Sequence, residues 1–464
     1  MTLKTLSIRP TSQFNLPPPP PKIYLHGIDF SPPIQIRNNR FYHSSPITTS
    51  EVVENLKNSL AIALELVPPL SGTLKTNGRG EAYIATGEEN LLETPFLVEE
   101  RDSPYVGDSE DLSPRGSGIL TPQCSPFAAK VTKFSCGTIA VASSINHQFV
   151  DLGSFLDFLE LWASIARGEP IDFSKIPTDW TRTPGRFFPP PQPVEAWTEH
   201  TFPPPFKVLP EPVSGPPLFL MVPAAVSTFK FTKASMEQLR SDFSPAKDSE
   251  AHKAGLWISS GDALASLLCG AITRARGDTV ARLDGRSSFE SQTEGIAMAA
   301  DGRVRASDST MQNGQYFGNF NTLWGVTVSR LDLLSHSCES ASRVALAIRD
   351  GLNHQLTTEA IAHKIAFFED PRNTEPAGRI SWAADLILTN WCRFDLQGPK
   401  LDLGWGKPFT ATSGSGGAFP PGYCLMTQVK DTGDTFALIT VEKDAADMLW
   451  SDSLLTKYGT RVPA

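Results

Sequence analysis

The sequence predicts a mixed α/β protein of two domains that each combine strands and helices. The chain has 464 residues, which is more than a single hydrophobic core usually serves. Patterns typical of strands and of amphipathic helices occur in both halves of the chain. Between the halves lies a proline-rich stretch, 184–217, in which 12 of 34 residues are proline. Because proline fixes φ and lacks a backbone N–H, we expect a semi-rigid crossover here, between domains 1–183 and 218–464.

The composition is that of a soluble globular protein, with 40% hydrophobic and 20% charged residues. A net charge of −9 without a cluster of lysine and arginine argues against nucleic acid as a partner. No apolar run reaches the ~18 residues that cross a bilayer, and 1–15 lack the apolar core of a secretory signal. We therefore expect a cytoplasmic protein without a membrane span. The six cysteines are dispersed and no Cys/His grouping has metal-site spacing, so free thiols and no metal are expected.

The first half of the chain predicts a helix, a hairpin, a loop, a strand and a second helix, in that order. Pro68-Pro69 stops the first helix, and Asn77-Gly78 is typical of a hairpin turn. The predicted bounds are a helix from about 50 to 67, strands 72–74 and 82–85, a polar loop 102–117, a strand 138–145 and a helix 155–166.

The second half mixes strands with one long apolar helix pattern. Short runs of β-branched and other apolar residues indicate strands, and a stripe at helical spacing indicates the helix. The predicted bounds are strands 226–231, 296–300, 386–390, 423–428 and 436–441 and a helix 260–274.

His147-Gln148-Phe149-Val150-Asp151 lies between the strand 138–145 and the helix 155–166. A histidine at the end of a core strand is held by rigid elements, and a neutral imidazole can accept a proton from a hydroxyl. His147 is therefore a candidate general base, although a structural histidine fits the same pattern. Asp151 is a candidate second catalytic residue, or simply the N-cap of the helix that follows.

A second motif is Asp402-Leu403-Gly404-Trp405-Gly406. Two glycines that flank a tryptophan indicate a tight backbone path beside a large ring. Taken alone, this pattern favours a structural turn over a contribution to a catalytic site.

Together these motifs resemble the BAHD family of CoA-dependent acyltransferases. That family carries H-x-x-x-D-G and D-F-G-W-G motifs, which the two motifs above match apart from Leu152 and Leu403. The resemblance extends in order and spacing from about residue 50 to 450. The proline-rich crossover and the N-terminus are more similar to fungal secondary-metabolism members, such as trichothecene O-acetyltransferases, than to plant ones. Further matching stretches are 56–60, 68–72, 262–264, 274–276, 301–303, 316–319 and 389–391.

The resemblance implies two domains like chloramphenicol acetyltransferase, each a mixed sheet flanked by helices, with an active-site channel between them. It implies that His147 deprotonates an acceptor hydroxyl, which attacks the acyl-CoA thioester. Asp151 would be mainly structural and paired with Arg303. Asn319 would brace the same loop.

The resemblance also assigns weaker roles in the second domain. Thr389 or Trp391 would stabilise the tetrahedral oxyanion. The residues of the second motif, Asp402, Gly404, Trp405 and Gly406, would shape that domain near the CoA entrance without contacting the reacting atoms.

The implied protein is a monomer that holds no cofactor and uses acyl-CoA, with acetyl-CoA expected, as co-substrate. Its other partner would be a hydroxylated small molecule. Leu152 replaces the motif glycine, which puts the path of the loop in question, whereas Leu403 keeps an apolar contact. Two alternatives stay open: a free-standing condensation enzyme that uses a carrier-protein thioester, and a binding protein or different enzyme on the same scaffold.

Overall fold

The structure is a computed structural model that describes residues 2–25, 27–29, 34–116, 120–212, 222–284, 292–307, 311, 316–414 and 419–462. The chain divides into two compact units. The first unit comprises Met1–Pro189, Ala306–Asn321 and Leu396–Ala418, and the second comprises Pro190–Arg305, Thr322–Asp395 and Phe419–Ala464.

Strands and helices are numbered along the chain. The strands are β1 (Thr2–Ile8), β2 (Lys22–Tyr24), β3 (Gln35–Tyr42), β4 (Thr73–Thr76), β5 (Ala82–Ala85), β6 (Thr94–Arg101), β7 (Phe127–Phe134), β8 (Ile139–Asn146), β9 (Phe206–Val208), β10 (Ala224–Phe231), β11 (Thr293–Asp301), β12 (Asn321–Ser329), β13 (Ile380–Trp382), β14 (Leu386–Asn390), β15 (Thr410–Thr412), β16 (Tyr423–Gln428), β17 (Thr435–Glu442) and β18 (Thr460–Val462). The helices are α1 (Thr49–Leu66), α2 (Leu152–Ala166), α3 (Lys233–Phe243), α4 (Glu250–Lys253), α5 (Ser260–Asp284), α6 (Arg330–Leu334), α7 (Cys338–Gln355), α8 (Thr358–Glu369), α9 (Pro371–Thr374), α10 (Ala446–Trp450) and α11 (Ser453–Tyr458).

The first unit is built on a mixed sheet with strand order β1-β6-β7-β8-β3-β15. Strands β6 and β7 run parallel, and the other neighbours in this sheet are antiparallel. A smaller antiparallel sheet, β2-β5-β4, contains the predicted hairpin. The main sheet carries β8 near its middle, so the residue that follows β8 leaves from a strand paired on both sides.

Helices α1 and α2 pack together and cover this sheet. Thr48 caps α1 in a capping box with Glu51, which satisfies two N–H groups at the helix start. The indole N–H of Trp162 in α2 donates to the Leu56 carbonyl of α1 at 3.1 Å. Phe127 of β7 packs edge to face against aromatic residues of α2, among them Trp162. These contacts hold α2 against α1 and the sheet.

The second unit has its own mixed sheet, with strand order β12-β11-β14-β16-β17-β10-β18. Strand β14 runs parallel to both of its neighbours, and the pairs from β16 onward are antiparallel. Helix α5 supplies the apolar stripe that packs into the core beside this sheet. Buried members of this core include Leu264, Leu268, Ile272, Leu386, Leu388 and Ile439.

The elements predicted from periodicity are confirmed. The predicted strands 386–390 and 423–428 coincide with β14 and β16, and the strand before His147 differs from β8 by one residue at each end. The predicted helix 260–274 continues as α5 to Asp284, past a non-helical Gly277. Among the described residues, no helix has the length and apolar character that crossing a membrane requires.

The two units differ from the predicted domains in where the C-terminal motif belongs. The motif Asp402–Gly406 was predicted in the second domain, but Leu396–Ala418 belongs to the first unit. The physical reason is pairing between distant segments: β15 pairs with β3, and the Tyr42 hydroxyl donates to the Leu401 carbonyl at 2.8 Å. Ala306–Asn321 also joins the first unit.

The proline-rich crossover also differs from its prediction. The boundary between the units falls after Pro189, inside the predicted linker 184–217. Within that stretch β9 forms a two-stranded antiparallel ribbon with β13, so part of it belongs to the second unit. A short edge ribbon is compatible with nearby prolines because it needs few backbone donors. Residues 213–217 lie outside the described part of the chain.

Lys364 in α8 makes the stability of the second unit depend on pH. Its side chain is buried, and Nζ donates to the carbonyls of Leu323 at 2.7 Å and Gln355 at 3.2 Å. Burial lowers the pKa of Lys364 to about 7. Because lysine in the unfolded chain keeps a pKa near ~10.4, the unfolded state binds more protons above pH 7, and stability rises with pH in that window.

We predict that Lys364→Met removes this dependence. Relative to the Met variant, wild-type protein should gain about 1.4 kcal/mol of unfolding free energy per pH unit between about pH 7.5 and 9.5. Urea unfolding of both proteins across that range measures the difference. Parallel pH curves for the two proteins would contradict the prediction.

Candidate active site

His147 follows β8 at the point where the chain leaves the sheet of the first unit. Its N–H donates to the Ile34 carbonyl at 2.9 Å, so pairing with the neighbouring strand continues one step past β8. The Asn146 side chain accepts from the Gln148 N–H at 3.0 Å, and the Phe149 N–H donates to the Asn146 carbonyl at 3.0 Å. These bonds close a tight turn, so the sheet itself sets the backbone position of His147.

Asn319 contacts both the ring and the backbone of His147. Its Nδ2 donates to the His147 carbonyl at 2.8 Å, and its Oδ1 lies 3.2 Å from His147 Nδ1. Since the amide oxygen can only accept, Nδ1 carries the proton and donates it to Asn319. The lone pair of the neutral ring then lies on Nε2. This is the tautomer that a general base needs when its other nitrogen is oriented by a neighbour.

The environment keeps the imidazole neutral at pH 7. Burial lowers the pKa of His147, and this effect outweighs the opposing influences of its own backbone, the Asp151 and Asp29 carboxylates and the Asn319 hydrogen bond. A neutral imidazole with a free Nε2 can accept a proton without first losing one. The side chain is half-buried, so part of it stays accessible.

Asp151 holds the loop to the rest of the first unit. Its Oδ1 accepts from the Ser154 N–H at 3.0 Å, which makes Asp151 the N-cap of α2. Its Oδ2 accepts from the Phe320 N–H at 2.7 Å, and the Ser154 hydroxyl donates to the Gly318 carbonyl at 3.0 Å. The carboxylate therefore bonds to backbone on two segments, which supports the structural role inferred for it.

Leu152 takes the place of the motif glycine without disturbing this arrangement. It is the first residue of α2, and its side chain is buried. In the described ranges no residue other than glycine has a positive φ, so a leucine adopts the backbone that this position requires. The doubt about the loop path that the sequence raised is thereby removed.

Arg303 lies in the second unit, just after β11. Its backbone N–H donates to Asp301 Oδ1 at 3.0 Å, and its Nη1 lies 3.3 Å from the same oxygen. Asp151 lies in the first unit. The expected pairing of Asp151 with Arg303 stays a prediction.

Two charged residues that the sequence analysis did not single out contact the His147 loop. Arg182 Nη1 donates to Asp29 Oδ1 at 2.8 Å, and both side chains are almost fully buried. Arg182 Nη2 also donates to the Phe149 carbonyl, and the Asn319 N–H donates to Asp29 Oδ1 at 3.2 Å. Neither Asp29 nor Arg182 belongs to a periodic pattern. The only local signal that could have pointed to them is a charge within a generally apolar segment.

Thr389 and Trp391, the candidate oxyanion residues, lie at the end of β14 in the second unit. The Trp391 N–H donates to the Met426 carbonyl at 2.8 Å, which continues the pairing of β14 with β16. Trp391 is almost fully buried and Thr389 is half-buried. Their positions are set by a central strand, and their role stays a prediction.

The motif Asp402–Gly406 is a tight turn in the first unit. Asp402 Oδ1 accepts from the N–H groups of Gly404 at 2.7 Å and Gly406 at 2.9 Å. Both glycines have positive φ, +107° and +110°, which explains why side chains are excluded there. The Trp405 ring packs edge to face on Tyr42, with 5.7 Å between centroids. These contacts give the motif a structural role.

The predicted site residues thus fall into two sets. His147, Asp151 and Asn319 form one hydrogen-bonded cluster in the first unit, which also holds the Asp402–Gly406 turn, and Arg303, Thr389 and Trp391 belong to the second unit. In the described ranges, no cluster of three or more histidine, cysteine, aspartate or glutamate side chains is arranged to hold a metal ion.

Two mixed sheets with flanking helices, and a histidine on the loop between β8 and α2, are the arrangement that the resemblance to two-domain acyltransferases implies. A model of the Transferase family matches residues 25–449. The chain therefore belongs to this family, the BAHD acyltransferases, and is an acyltransferase.

Two relatives and one solved structure illustrate the similarity. The chain is 25% identical to acyltransferase uat1 of Mycosarcoma maydis over 459 residues, covering 85% of this chain and 82% of that protein. It is 27% identical to shikimate O-hydroxycinnamoyltransferase of Nicotiana tabacum over 381 residues, covering 76% and 77%. TRI101 of F. sporotrichioides, crystallised with coenzyme A and T-2, superposes with a TM-score of 0.72 at 19% identity, covering 95% of this chain and 100% of that one. This superposition confirms the predicted fold.

We predict that Asn319→Ala lowers kcat by about 10-fold to 100-fold, the usual cost of losing a group that orients a functional histidine. Without the Asn319 amide, nothing would hold the proton on Nδ1 of His147. ¹⁵N NMR of the ring should then report a mixture of the Nδ1-H and Nε2-H tautomers. A matched control is Asn373→Ala in the second unit, which removes a buried amide that donates to the Phe367 carbonyl at 2.9 Å. That control should lose stability but keep its turnover, and equal kinetic losses in both variants would count against the orienting role.

Proposed function

We propose that this acyltransferase moves an acetyl group from acetyl-CoA to a hydroxyl of a small secondary metabolite, with His147 as general base. The observation that carries the proposal is the contact of His147 Nδ1 with Asn319 Oδ1 at 3.2 Å, which places the lone pair on Nε2 of a ring whose pKa is lowered by burial. Membership in the BAHD family supports acyl-CoA as the donor.

In the proposed reaction the base acts twice. Nε2 of His147 accepts the proton of the acceptor hydroxyl as its oxygen attacks the thioester carbonyl. The tetrahedral intermediate then expels the CoA thiolate, which takes the proton back from the imidazolium. No proton is gained or lost overall, so the histidine is ready for the next turnover. Thr389 or Trp391 is proposed to stabilise the oxyanion.

The identity of the acyl group is supported less directly. Acetyl is the common donor in fungal secondary metabolism, and TRI101 was crystallised with coenzyme A. A second candidate donor is an aromatic acyl-CoA, because several relatives of this chain are hydroxycinnamoyltransferases. The acceptor is proposed to be a hydroxylated terpenoid, alkaloid or polyketide.

Donor and acceptor are identified by one experiment. Purified protein is incubated with metabolite extract and either acetyl-CoA or p-coumaroyl-CoA, while mass spectrometry follows product mass and a thiol reagent follows free CoA. Acetyl transfer should give a product about 42 Da heavier than its acceptor, because an acetyl group of about 43 Da replaces a hydrogen of about 1 Da, and one CoA should be released per product. Turnover only with the aromatic donor would reject the acetyl assignment, and turnover only with a carrier-protein thioester would reject CoA.

We predict that His147→Ala lowers kcat by ~10²–10⁴, the usual contribution of a positioned base. The KM for acyl-CoA should change little, because the imidazole acts on the acceptor. In wild-type protein, kcat/KM should fall only as pH drops through a pKa below the ordinary histidine range, since burial lowers the pKa of His147. Near-normal turnover in a folded His147→Ala protein would remove the central claim.

We also predict direct transfer without an acyl-enzyme. Burial raises the pKa of Cys392, which adjoins Trp391, to about 11, so its thiol is a poor nucleophile at pH 7. Initial-rate plots should intersect, and acyl-CoA alone should release no burst of CoA. Parallel plots together with an acyl adduct on Cys392 would overturn this mechanism.

The exposed thiol of Cys136 provides the control for that experiment. Hydrogen bonds to Thr138 and from the Tyr105 backbone lower the pKa of Cys136 to about 7, so acyl-CoA can modify it slowly without catalysis. Cys136→Ser should abolish such an adduct and leave turnover unchanged.

A further inference from the structure

A buried ion pair lies directly beneath the His147 loop. Asp29 lies in a short turn before β3, and Arg182 lies in the segment after α2. Their side chains are 0% and 1% exposed, with Arg182 Nη1 at 2.8 Å from Asp29 Oδ1. Burying two charges is costly, and apolar residues of the same size often serve stability equally well. A pair kept next to a candidate base therefore calls for a role beyond stability.

Each member of the pair also holds one side of His147. Arg182 donates to the carbonyls of Gln148, at 3.3 Å, and Phe149, which are the two residues after the histidine. Asp29 Oδ1 accepts from the Asn319 N–H at 3.2 Å, and the Asn319 side chain in turn bonds to the ring. The pair thus connects the backbone of the loop to the amide that orients the imidazole.

The packing around the pair leaves little freedom. A Cβ added at Gly318 would lie 3.1 Å from Arg182 Nε, so the segment that presents Asn319 runs close against the guanidinium. The planar fork of Arg182 reaches one carboxylate oxygen and two carbonyls, a set that a lysine could not match.

We propose that Asp29 and Arg182 act together as positioning residues, which hold the His147 loop and the Asn319 amide in place and balance the charge around the imidazole. The inference rests on the proposed function, in which His147 is the base. Neither residue touches the substrate in this proposal, and both act through the loop and through Asn319.

The charges around the imidazole make the proposal testable. Asp29 and Asp151 each raise the pKa of His147 against the larger lowering by burial. Arg182 neutralises Asp29, whereas Asp151 bonds to backbone N–H groups. The Tyr316 hydroxyl donates to the Asn319 carbonyl at 3.3 Å and is a further titratable group in contact with this cluster.

The two members of the pair should therefore shift the base in opposite directions. The acid limb is the range of low pH over which kcat/KM falls as His147 is protonated. Asp29→Asn removes a negative charge, so the acid limb should move to lower pH. Arg182→Met removes the positive charge next to Asp29, so the limb should move to higher pH. Removing a single charge this close to the imidazole should shift the acid limb by about 0.3 to 1 pH unit. Both variants should lose kcat about 10-fold or more, with the KM for acyl-CoA nearly unchanged.

A direct titration separates this inference from the proposed function. The ¹⁵N NMR signal of the His147 ring, assigned by its absence from His147→Gln protein, reports the pKa without any turnover. If His147→Ala kept its activity, the proposed function would fail while the NMR titration still tested the charge balance. Asp29→Asn is nearly isosteric and keeps a hydrogen-bond acceptor, so we expect it to fold. Its NMR titration therefore tests the charge balance even if Arg182→Met does not fold.

The control is an ion pair of the same kind in the second unit. Arg274 and Asp452 are buried there, with Nε at 2.6 Å from Oδ2. Arg274→Met should lose stability but leave both the acid limb and the NMR pKa of His147 in place. Shifts of equal sign in Asp29→Asn and Arg182→Met, or no shift in either folded variant, would overturn the proposal and leave the pair a purely structural feature.

Discussion

The structure of the candidate site depends on one constraint: the polar groups of the His147 loop must find their partners on a segment that is distant in the sequence. Residues 316–320 meet that need, because Phe320 donates to Asp151, and Asn319 donates to the His147 carbonyl. Buried backbone groups without partners cost ~1–3 kcal/mol each, so the two segments stabilise each other. The orientation of the imidazole is therefore a consequence of how the loop satisfies its hydrogen bonds.

This arrangement also explains how a half-buried histidine next to two carboxylates stays neutral. Two nearby negative charges would by themselves favour the imidazolium. Asp151 instead directs its oxygens to backbone N–H groups, and Asp29 is paired with Arg182. Their effect on the ring is thereby weakened, and desolvation prevails. The two carboxylates can therefore hold the loop while the imidazole stays neutral.

Much of this could be predicted from local patterns, and the rest depends on contacts that leave no local signal. The strands β8, β14 and β16 follow from short apolar runs, and the helices α1 and α2 follow from apolar stripes at helical spacing. His147 and Asp151 follow from a motif. Asp29 and Arg182 do not, since an ion pair between segments 153 positions apart has neither spacing nor periodicity. The same reason explains why the Asp402–Gly406 turn was assigned to the wrong unit: three residues of β15 pair with β3, and chain order says nothing about that pairing.

The Asp402–Gly406 turn is held together by bonds within the motif and by contacts to distant parts of the first unit. Its aspartate bonds to two glycine N–H groups inside the turn, so that carboxylate oxygen is engaged within the motif itself. Positive φ at both glycines means that any other residue there would strain the backbone. The Arg167 guanidinium, at the end of α2, donates to the carbonyls of Asp402 and Lys400. Since α2 begins at the cap that Asp151 provides, the turn fixes one end of the helix whose other end is the His147 loop. The two motifs are thus connected through α2, and the C-terminal one contributes by holding the support of the first.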